Sequence, residues 1–390
     1  LSIMMQCMMH EPFYNSGIYI DDRIGIYIGW ICQRNSFSDC MPVFTEKQYM
    51  VLIFCGENFP DPAVISHLKS KKHDFDSSNA SSLIHIFEDN PNDFLSQLNG
   101  WFSGVLIDRR KDKVILFNDR YGIQRIYFHE SDDEFLFSSE TKALLKTRPA
   151  LRNISYKGLG EYLTCGCVLE NRTLLPNIFL LPGGSVWTFE DGKRTKRESY
   201  FKPADWENQP SLDISEFYSH LKETFLNILP RYFISNEPIG MSLTGGLDTR
   251  MIMAGIDRSP GSLPCYTFGG MYRDCLDVSI SRKVAYACHQ SHQVLELGQE
   301  FLAGFPKYAE KSVYISDGLL DVCGSYELYL NKLAREIAPI RMTGNYGGEV
   351  LRSVRTFKAT PPCKGLFVTD FDEHIQAAIE TFIEISKGNK

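Results

Sequence analysis

The feature that most constrains this chain is a change of hydrophobic period across Lys202–Pro210, "KPADWENQP", a polar stretch with a proline near each end. Before it, apolar residues alternate with polar ones, as half-buried strands require. Ile18–Ile28 and Met50–Phe54 read as strands. Gly104–Asp108 pairs with Val114–Asn118 across the charged turn Arg109–Lys113, and Arg125–His129 and Glu134–Ser138 follow. Ser185–Phe189 and Arg194–Tyr200 form a hairpin, because the Asp-Gly of Glu190-Asp-Gly192 suits a tight turn. After it the period becomes helical. Asp213 stands three residues before Glu216, a capping arrangement, and Ile214, Phe217, Tyr218, Leu221, Phe225 and Leu229 share one helical face. Short strands at Ile239–Leu243, Leu263–Phe268, Gln293–Leu297 and Ile340–Met342 then alternate with helices, one of them starting near Asp277. The expectation is an antiparallel α+β domain over 1–201, a linker over 202–213, and a doubly wound parallel α/β domain over 214–390.

A chain of 390 residues, 43% hydrophobic and 23% charged, is long enough for two cores. A formal charge of −7 without clusters of Lys or Arg argues against a nucleic-acid partner. The eleven cysteines are spread out, which fits a reducing cytoplasm. Cys165 and Cys167 are close enough to share a metal, but no second pair stands near them to complete four ligands. No apolar run is long enough to span a membrane and no signal peptide opens the chain, so we expect a soluble protein without a membrane partner. The first residue is Leu1 and the last segment is Ser386–Lys390, and both ends read as cropped.

The stretch Ser242–Met251, "SLTGGLDTRM", lies at the carboxyl end of an expected parallel strand, where ligands of such sheets sit. Gly245 and Gly246 permit backbone angles closed to other residues and let amides approach an anion. The helix starting near Leu247 adds its positive end. Asp248 repels a bare phosphate and so implies a magnesium ion between carboxylate and phosphate, with Thr244 and Thr249 adding hydroxyls. The same residues also suit a strand-to-helix turn capped by an Asp. No Walker-type phosphate loop occurs in the chain.

The segment "GMSLTGGLDTRMIMAG" resembles the pyrophosphate loop of the asparagine synthetase family, with Leu243, Thr244, Gly245, Gly246, Leu247, Asp248 and Thr249 in or beside the loop positions. The blocks Leu98–Phe128, Phe137–Leu145, Gly160–Phe189 and Thr343–Leu351 resemble that family's other blocks in the same order. The resemblance implies an N-terminal domain of the Ntn-hydrolase-like α-β-β-α type, a glutaminase, ahead of an ATP-pyrophosphatase (adenine nucleotide hydrolase-like) synthetase domain. It implies ATP and Mg2+ as cofactors, Asp248 as metal ligand, and adenine against Thr267, Phe268 and Gly269. It further implies a small-molecule carboxylate as substrate, an amine or ammonia as nitrogen donor, and AMP and pyrophosphate as products. A homodimer is possible in such a family.

The chain departs from the family pattern in both halves. The family's nucleophile is an N-terminal Cys, whereas Cys7 is internal. The Arg for the glutamine carboxylate aligns with Trp30, the Asn of the oxyanion hole with Cys55, and the Asp for the amine with Asn79; Gly56 and Glu57 remain. A tryptophan binds no carboxylate by charge, and a thiol is a poor oxyanion donor beside an amide. Glutamine hydrolysis is therefore doubtful, and the domain reads as a degenerate scaffold. In the second loop, Thr343–Glu349, a metal-binding Asp is replaced by Gly348 and a proton-accepting Glu by Asn345. Gly344, Tyr346 and Glu349 remain, and Tyr346 with Glu349 is the candidate catalytic pair, as in β-lactam-forming members; the alternative is that Tyr346 packs and Gly347-Gly348 make a turn. Arg250, Asp277, Arg282, Lys283, His292, Asp317 and Asp321 are placed near the same cleft, with a capping role expected for Asp277 and a surface or strand-entry role for His292.

Overall fold

The computed structural model describes residues 1–190, 192–270, 272–345, 347–352, 357–363 and 365–387, with the backbone alone for Glu349 and Arg352. The chain divides into two compact units, Leu1–Glu207 with Arg355–Lys390, and Asn208–Val354. The boundary falls inside the expected linker. Its first part is tied to the N-terminal unit, because the Trp206 ring packs edge-on against Phe201, centroids 4.9 Å apart.

The strands in chain order are β1 Tyr14–Asp21, β2 Ile26–Gln33, β3 Val43–Phe44, β4 Met50–Asn58, β5 Gly100–Asp108, β6 Lys113–Asn118, β7 Tyr127–Glu130, β8 Phe135–Ser138, β9 Phe179–Leu180, β10 Ser185–Glu190, β11 Lys193–Ser199, β12 Ile239–Ser242, β13 Cys265–Gly269, β14 His292–Glu296 and β15 Ile340–Met342. The single strand expected over Ile18–Ile28 is a hairpin of β1 and β2, turning at Asp22–Gly25, where Gly25 takes φ +64°. The expected β5–β6 hairpin forms, with Asp108 opposite Lys113. So does β10–β11, turning at Gly192 with φ +71°, though Asp191 lies outside the described residues.

Every strand pair of the first unit is antiparallel, in sheets ordered β1-β2, β11-β10-β6-β5-β4-β3 and β8-β7-β9. The two faces of β4 show why the unit is layered. Leu52 and Phe54 enter one core with Leu68, Leu83, Ile84 and Ile86 of the helices Pro62–Ser70 and Ser81–Asp89. Val51 and Ile53, one residue out of step, enter a second core with Trp187 of the same sheet and with Ile28 and Phe128 from the smaller sheets. A period of two thus builds two cores on opposite faces. A third core joins Met4 of the helix Ser2–Met8 to Tyr127, Ala143 and Leu144, on the far side of β7. The order is helices, sheet, sheet, helices, and each fully buried Leu, Ile or Phe contributes about 2 kcal/mol.

The C-terminal helix Thr369–Lys387 departs from the expected domain 214–390. It packs on the helix Tyr156–Cys165, with Cys165, Leu169 and Ala378 in one cluster. Gly160 permits this approach, since a Cβ there would lie 2.8 Å from the His374 carbonyl. Apolar burial thus assigns the helix to the N-terminal unit. Cys165 and Cys167 belong to no group of three metal-capable side chains among the described residues.

The second unit carries a parallel sheet ordered β14-β13-β12-β15. From β12 the chain winds outward through β13 and β14, then returns to place β15 on the other side of β12. The switch point therefore lies between the carboxyl ends of β12 and β15, where parallel sheets open a ligand crevice. The helix Ile214–Ile228 is capped as expected, Asp213 accepting from the Ser215 and Glu216 amides at 2.9 and 3.0 Å. Its apolar stripe is less covered than the period implies: Leu229, just beyond it, is buried, whereas Ile214 and Tyr218 are exposed.

Candidate active sites

At the switch point, Leu243 is wholly buried, its amide donating to the Tyr266 carbonyl at 2.8 Å. The loop then runs Thr244, Gly245, Gly246 into the helix Leu247–Gly255. Thr249, itself buried, closes the loop from inside: its hydroxyl accepts from the Thr244 amide at 3.3 Å and donates to the Thr244 carbonyl at 3.1 Å. Thr244 Oγ1 accepts from the Gly246 amide at 3.2 Å. Neither glycine takes a positive φ, contrary to the conformational freedom expected of them; Gly246 has φ −65° and ψ 155°. Gly245 is required for its size, because a Cβ would lie 2.9 Å from Asp277 Oδ1 and 3.1 Å from Ile280 Cδ1.

Asp277, at the start of the helix Leu276–Ala287, is the main surprise of this site. Its Oδ1 accepts the Gly245 amide at 2.9 Å, so the carboxylate sits on the amide that a phosphate would need. The amides of Thr244, Gly245 and Gly246 are thus all taken by side chains. Arg250 folds back to give Nε–H to the Gly246 carbonyl at 3.3 Å, bracing the loop.

Asp248 stands in the first helical turn, facing the second loop. A Cβ at Gly344 would come within 2.9 Å of both Asp248 Cβ and the Thr249 amide, and one at Gly347 within 2.6 Å of Asp248 Cγ. The two loops that were read a hundred residues apart therefore meet at Asp248. Gly347 is a glycine because the Asp248 carboxyl occupies the space a side chain needs, and Gly344 because the Asp248 Cβ and the Asp248–Thr249 backbone do. Glu349 and Gly348 belong to the helix Gly347–Arg352, and Asn345 is exposed. Tyr346 and the Glu349 side chain lie outside the described residues, so the candidate catalytic pair does too.

Along β13, the Thr267 hydroxyl gives its one hydrogen to the Leu243 carbonyl at 2.7 Å, so the His292 Nε2 at 2.8 Å is the donor to it. His292, the first residue of β14, is thus a half-buried strand-entry residue that partners β13. Burial, and secondarily Arg282, lower its pKa. The hydroxyl of Thr267 is committed to the sheet. Phe268 lies under the Arg341 guanidinium at 4.8 Å, and Gly269 leaves room for Val294, whose Cγ1 would be 2.5 Å from a Cβ there. Leu247 is exposed. Arg282 pairs with Asp274, Lys283 is exposed, and Asp321 caps a short helical turn by accepting the Cys323 amide at 2.7 Å; Asp317, at φ +53°, lies in the turn before it.

In the N-terminal unit a cavity of about 590 Å³ opens between β2, β4, β5 and β8. Trp30, Cys55, Gly56 and Glu57 all line it; Asn79 does not. Asn79 instead gives Nδ2–H to Asp76 at 3.2 Å and accepts the Ser81 amide at 2.9 Å, in the turn before the next helix. Gly56, at φ +113°, has no substitute, since a Cβ would lie 2.1 Å from the Trp101 carbonyl oxygen. The Trp30 ring packs against Gly17, where a Cβ would come within 2.2 Å of it. Burial raises the Glu57 carboxyl to about 7, against a smaller opposing hydrogen bond from the Phe37 amide. Burial likewise raises the Cys55 thiol to about 11, with Gln124 Nε2 donating to its sulfur at 3.3 Å.

Gln124 was not legible as a site residue. It is held there by Asp119, whose buried carboxylate accepts the amides of Phe102, Tyr121, Ile123 and Gln124 at 2.9–3.2 Å. The "NDRYGIQ" turn carried that signal. Also unforeseen are Met4, Met5 and Met8, which line the cavity from the helix Ser2–Met8, and His10, whose Nε2 lies 2.9 Å from Glu140 at its margin. Nothing in their spacing points to a pocket.

The pattern of the glutamine amidotransferase domain matches residues 14–201. Asparagine synthetase [glutamine-hydrolyzing] 1 of Bacillus subtilis is 20% identical over 361 residues, covering 91% of this chain and 56% of that protein. A putative asparagine synthetase [glutamine-hydrolyzing] 2 of Methanocaldococcus jannaschii is 23% identical over 273 residues, covering 68% and 51%. The chain thus spans about half the length of these relatives. Among solved structures, glutamine phosphoribosylpyrophosphate amidotransferase from B. subtilis, complexed with ADP and GMP, is similar with a TM-score of 0.36 and 11% identity over 77% of this chain and 66% of that one. With a glutamine amidotransferase domain over residues 14–201 and matches to asparagine synthetases that run into the parallel-sheet unit, the chain shows a family-level similarity to the glutamine-hydrolyzing asparagine synthetases.

Proposed function

We propose that this chain is an AMP-forming amide ligase, with an Ntn-type N-terminal domain and an ATP-pyrophosphatase-type second domain. In this reading ATP activates a small-molecule carboxylate as its adenylate, pyrophosphate leaves, and a nitrogen nucleophile displaces AMP. The observation that carries it is the meeting of the Thr244–Thr249 and Gly344–Gly347 loops around Asp248 at the switch point of the sheet. The site fits Mg2+: an oxygen donor stands at a helix start, in a cradle that a single Cβ would fill. When bound, the ion neutralises charge building on the departing pyrophosphate. Asp248 would hold it, the Gly245 and Gly246 amides would receive phosphate oxygens once Asp277 swings away, and the end of β13 would take adenine through its backbone and Phe268.

The glutaminase cavity supports a different role from hydrolysis. Trp30 supplies no charge for a glutamine carboxylate, and the Cys55 thiol is already engaged by Gln124. Free ammonia or an amine on the substrate is therefore the nitrogen source in this reading. The chemistry is the same if the product is an amide or lactam of a metabolite, peptide or sugar acid. A cytoplasmic enzyme able to form a homodimer suits such substrates.

ATP–pyrophosphate exchange on the full-length protein with a panel of carboxylic acids tests the proposal. Exchange with at least one acid, lost on Asp248→Ala, is expected; exchange untouched by that substitution refutes the metal assignment. A second reading, a non-catalytic nucleotide-binding scaffold, is favoured by Asn345, by Gly348 and by the engaged loop amides. Nucleotide binding without exchange on any acid would select it.

A further inference from the structure

The helix Ser81–Asp89 and the segment leading into it carry a second constellation, apart from the glutamine-type cavity. His85 and Glu88 are three residues apart and so share a face, with His85 Nδ1 3.1 Å from Glu88 Oε2. The His85 side chain is 7% exposed and that of Glu88 24%, so the histidine is buried and the carboxylate partly so. His73, from the irregular segment after the helix Pro62–Ser70, brings its ring to 4.6 Å from that of His85, centroid to centroid. One ligand atom from each of the three lies within 4.8 Å of the others, which no other such trio achieves among the described residues. Tyr49 donates its hydroxyl to the other Glu88 oxygen, Oε1, at 3.0 Å, and the Arg110 guanidinium caps the Tyr49 ring at 3.9 Å.

Two imidazoles and one carboxylate, with a fourth position open, is a donor set that suits Zn2+. With metal–ligand bonds of about 2.0–2.1 Å, tetrahedral ligands stand about 3.4 Å apart. The His85–Glu88 pair is already near that spacing. His73 stands outside any helix or strand, so its ring can close the remaining gap without breaking a ladder hydrogen bond. Tyr49 supplies the outer hydrogen bond that orients a ligating carboxylate. We propose that His73, His85 and Glu88 bind one divalent transition-metal ion, Zn2+ by preference, with the fourth position open to water, tying the segment before the helix to the helix itself.

The test is a titration of the chelator-stripped full chain with Zn2+ against a chromophoric competitor, repeated with Co2+ for its absorption spectrum. One site is expected whose affinity falls at least tenfold in His73→Gln, His85→Gln and Glu88→Gln, and about tenfold in Tyr49→Phe. His67→Gln, which removes a histidine paired with Asp89 on the same two helices, is expected to bind as the parent does. The Co2+ complex is expected to lack the near-ultraviolet band of thiolate ligation. His73→Gln alters only a half-exposed ring in irregular backbone, so it reports even where His85→Gln fails to fold. Equal binding by the parent and His73→Gln, a thiolate band, or no Zn2+ bound at all would each overturn the site and leave a plain His–carboxylate pair.

Discussion

Asp277 holds the amide of Gly245, and its removal gives the sharpest test of the nucleotide loop. A phosphate oxygen bound at that amide would stand about 4 Å from the carboxylate, and two unit charges at that distance repel by about 1 kcal/mol in water. The site is exposed, so the water value is the appropriate one. Asp277→Asn removes the charge and keeps the shape; ATP or pyrophosphate should bind about fivefold more tightly. Asp277→Ala also frees the amide, which adds about 0.5–1.5 kcal/mol for a hydrogen bond no longer broken on binding, or a further two- to tenfold. Isothermal titration of the full chain with each ligand, with Mg2+ present, measures both. Weaker binding by Asp277→Asn would mean the carboxylate serves the metal, and unchanged binding would mean that phosphate does not use the Gly245 amide. Either result refutes the reasoning.

Gly56→Ala forces a side chain onto φ +113° with its Cβ 2.1 Å from a backbone oxygen. Strain and overlap together should cost about 2–6 kcal/mol. Gly25→Ala, at φ +64° in open space, should cost about 1 kcal/mol, so equal losses in thermal or denaturant unfolding would contradict the packing argument. Glu57 keeps its proton to about 7 in the folded chain instead of 4.5, so between those values the folded state binds more proton than the unfolded one. Its contribution is full below 4.5 and is lost as the pH rises through 7, by about 3 kcal/mol. Urea unfolding across that window should therefore show Glu57→Gln losing less stability than the parent; parallel curves would show that Glu57 is not the group responsible.

Much of the local structure is legible in the chain. The period change at Lys202–Pro210, the β5–β6 pairing, the Asp213 cap and the strand at Ile340–Met342 follow from side-chain spacing and turn chemistry, which act over a few residues. The Thr244–Thr249 loop was identifiable because glycine and hydroxyl residues stand next to one another in sequence. The hairpin within Ile18–Ile28 was missed because Ile24 and Ile26 keep the apolar run going across a turn that Asp22 and Gly25 make.

What the tertiary structure decided are contacts between residues far apart in the chain. Asp277 reaches Gly245 across 32 positions, and Asp248 meets Gly344 and Gly347 because parallel strand order places β15 beside β12. Gly245 is glycine to admit a carboxylate from another helix, not to bend its own backbone. The helix Thr369–Lys387 returns to the N-terminal unit because Gly160 and Cys165 offer it a surface, and no feature of its own sequence names that partner. Sequence spacing sets which face a residue presents. Which face it meets depends on burial summed over the whole fold, which no local window contains.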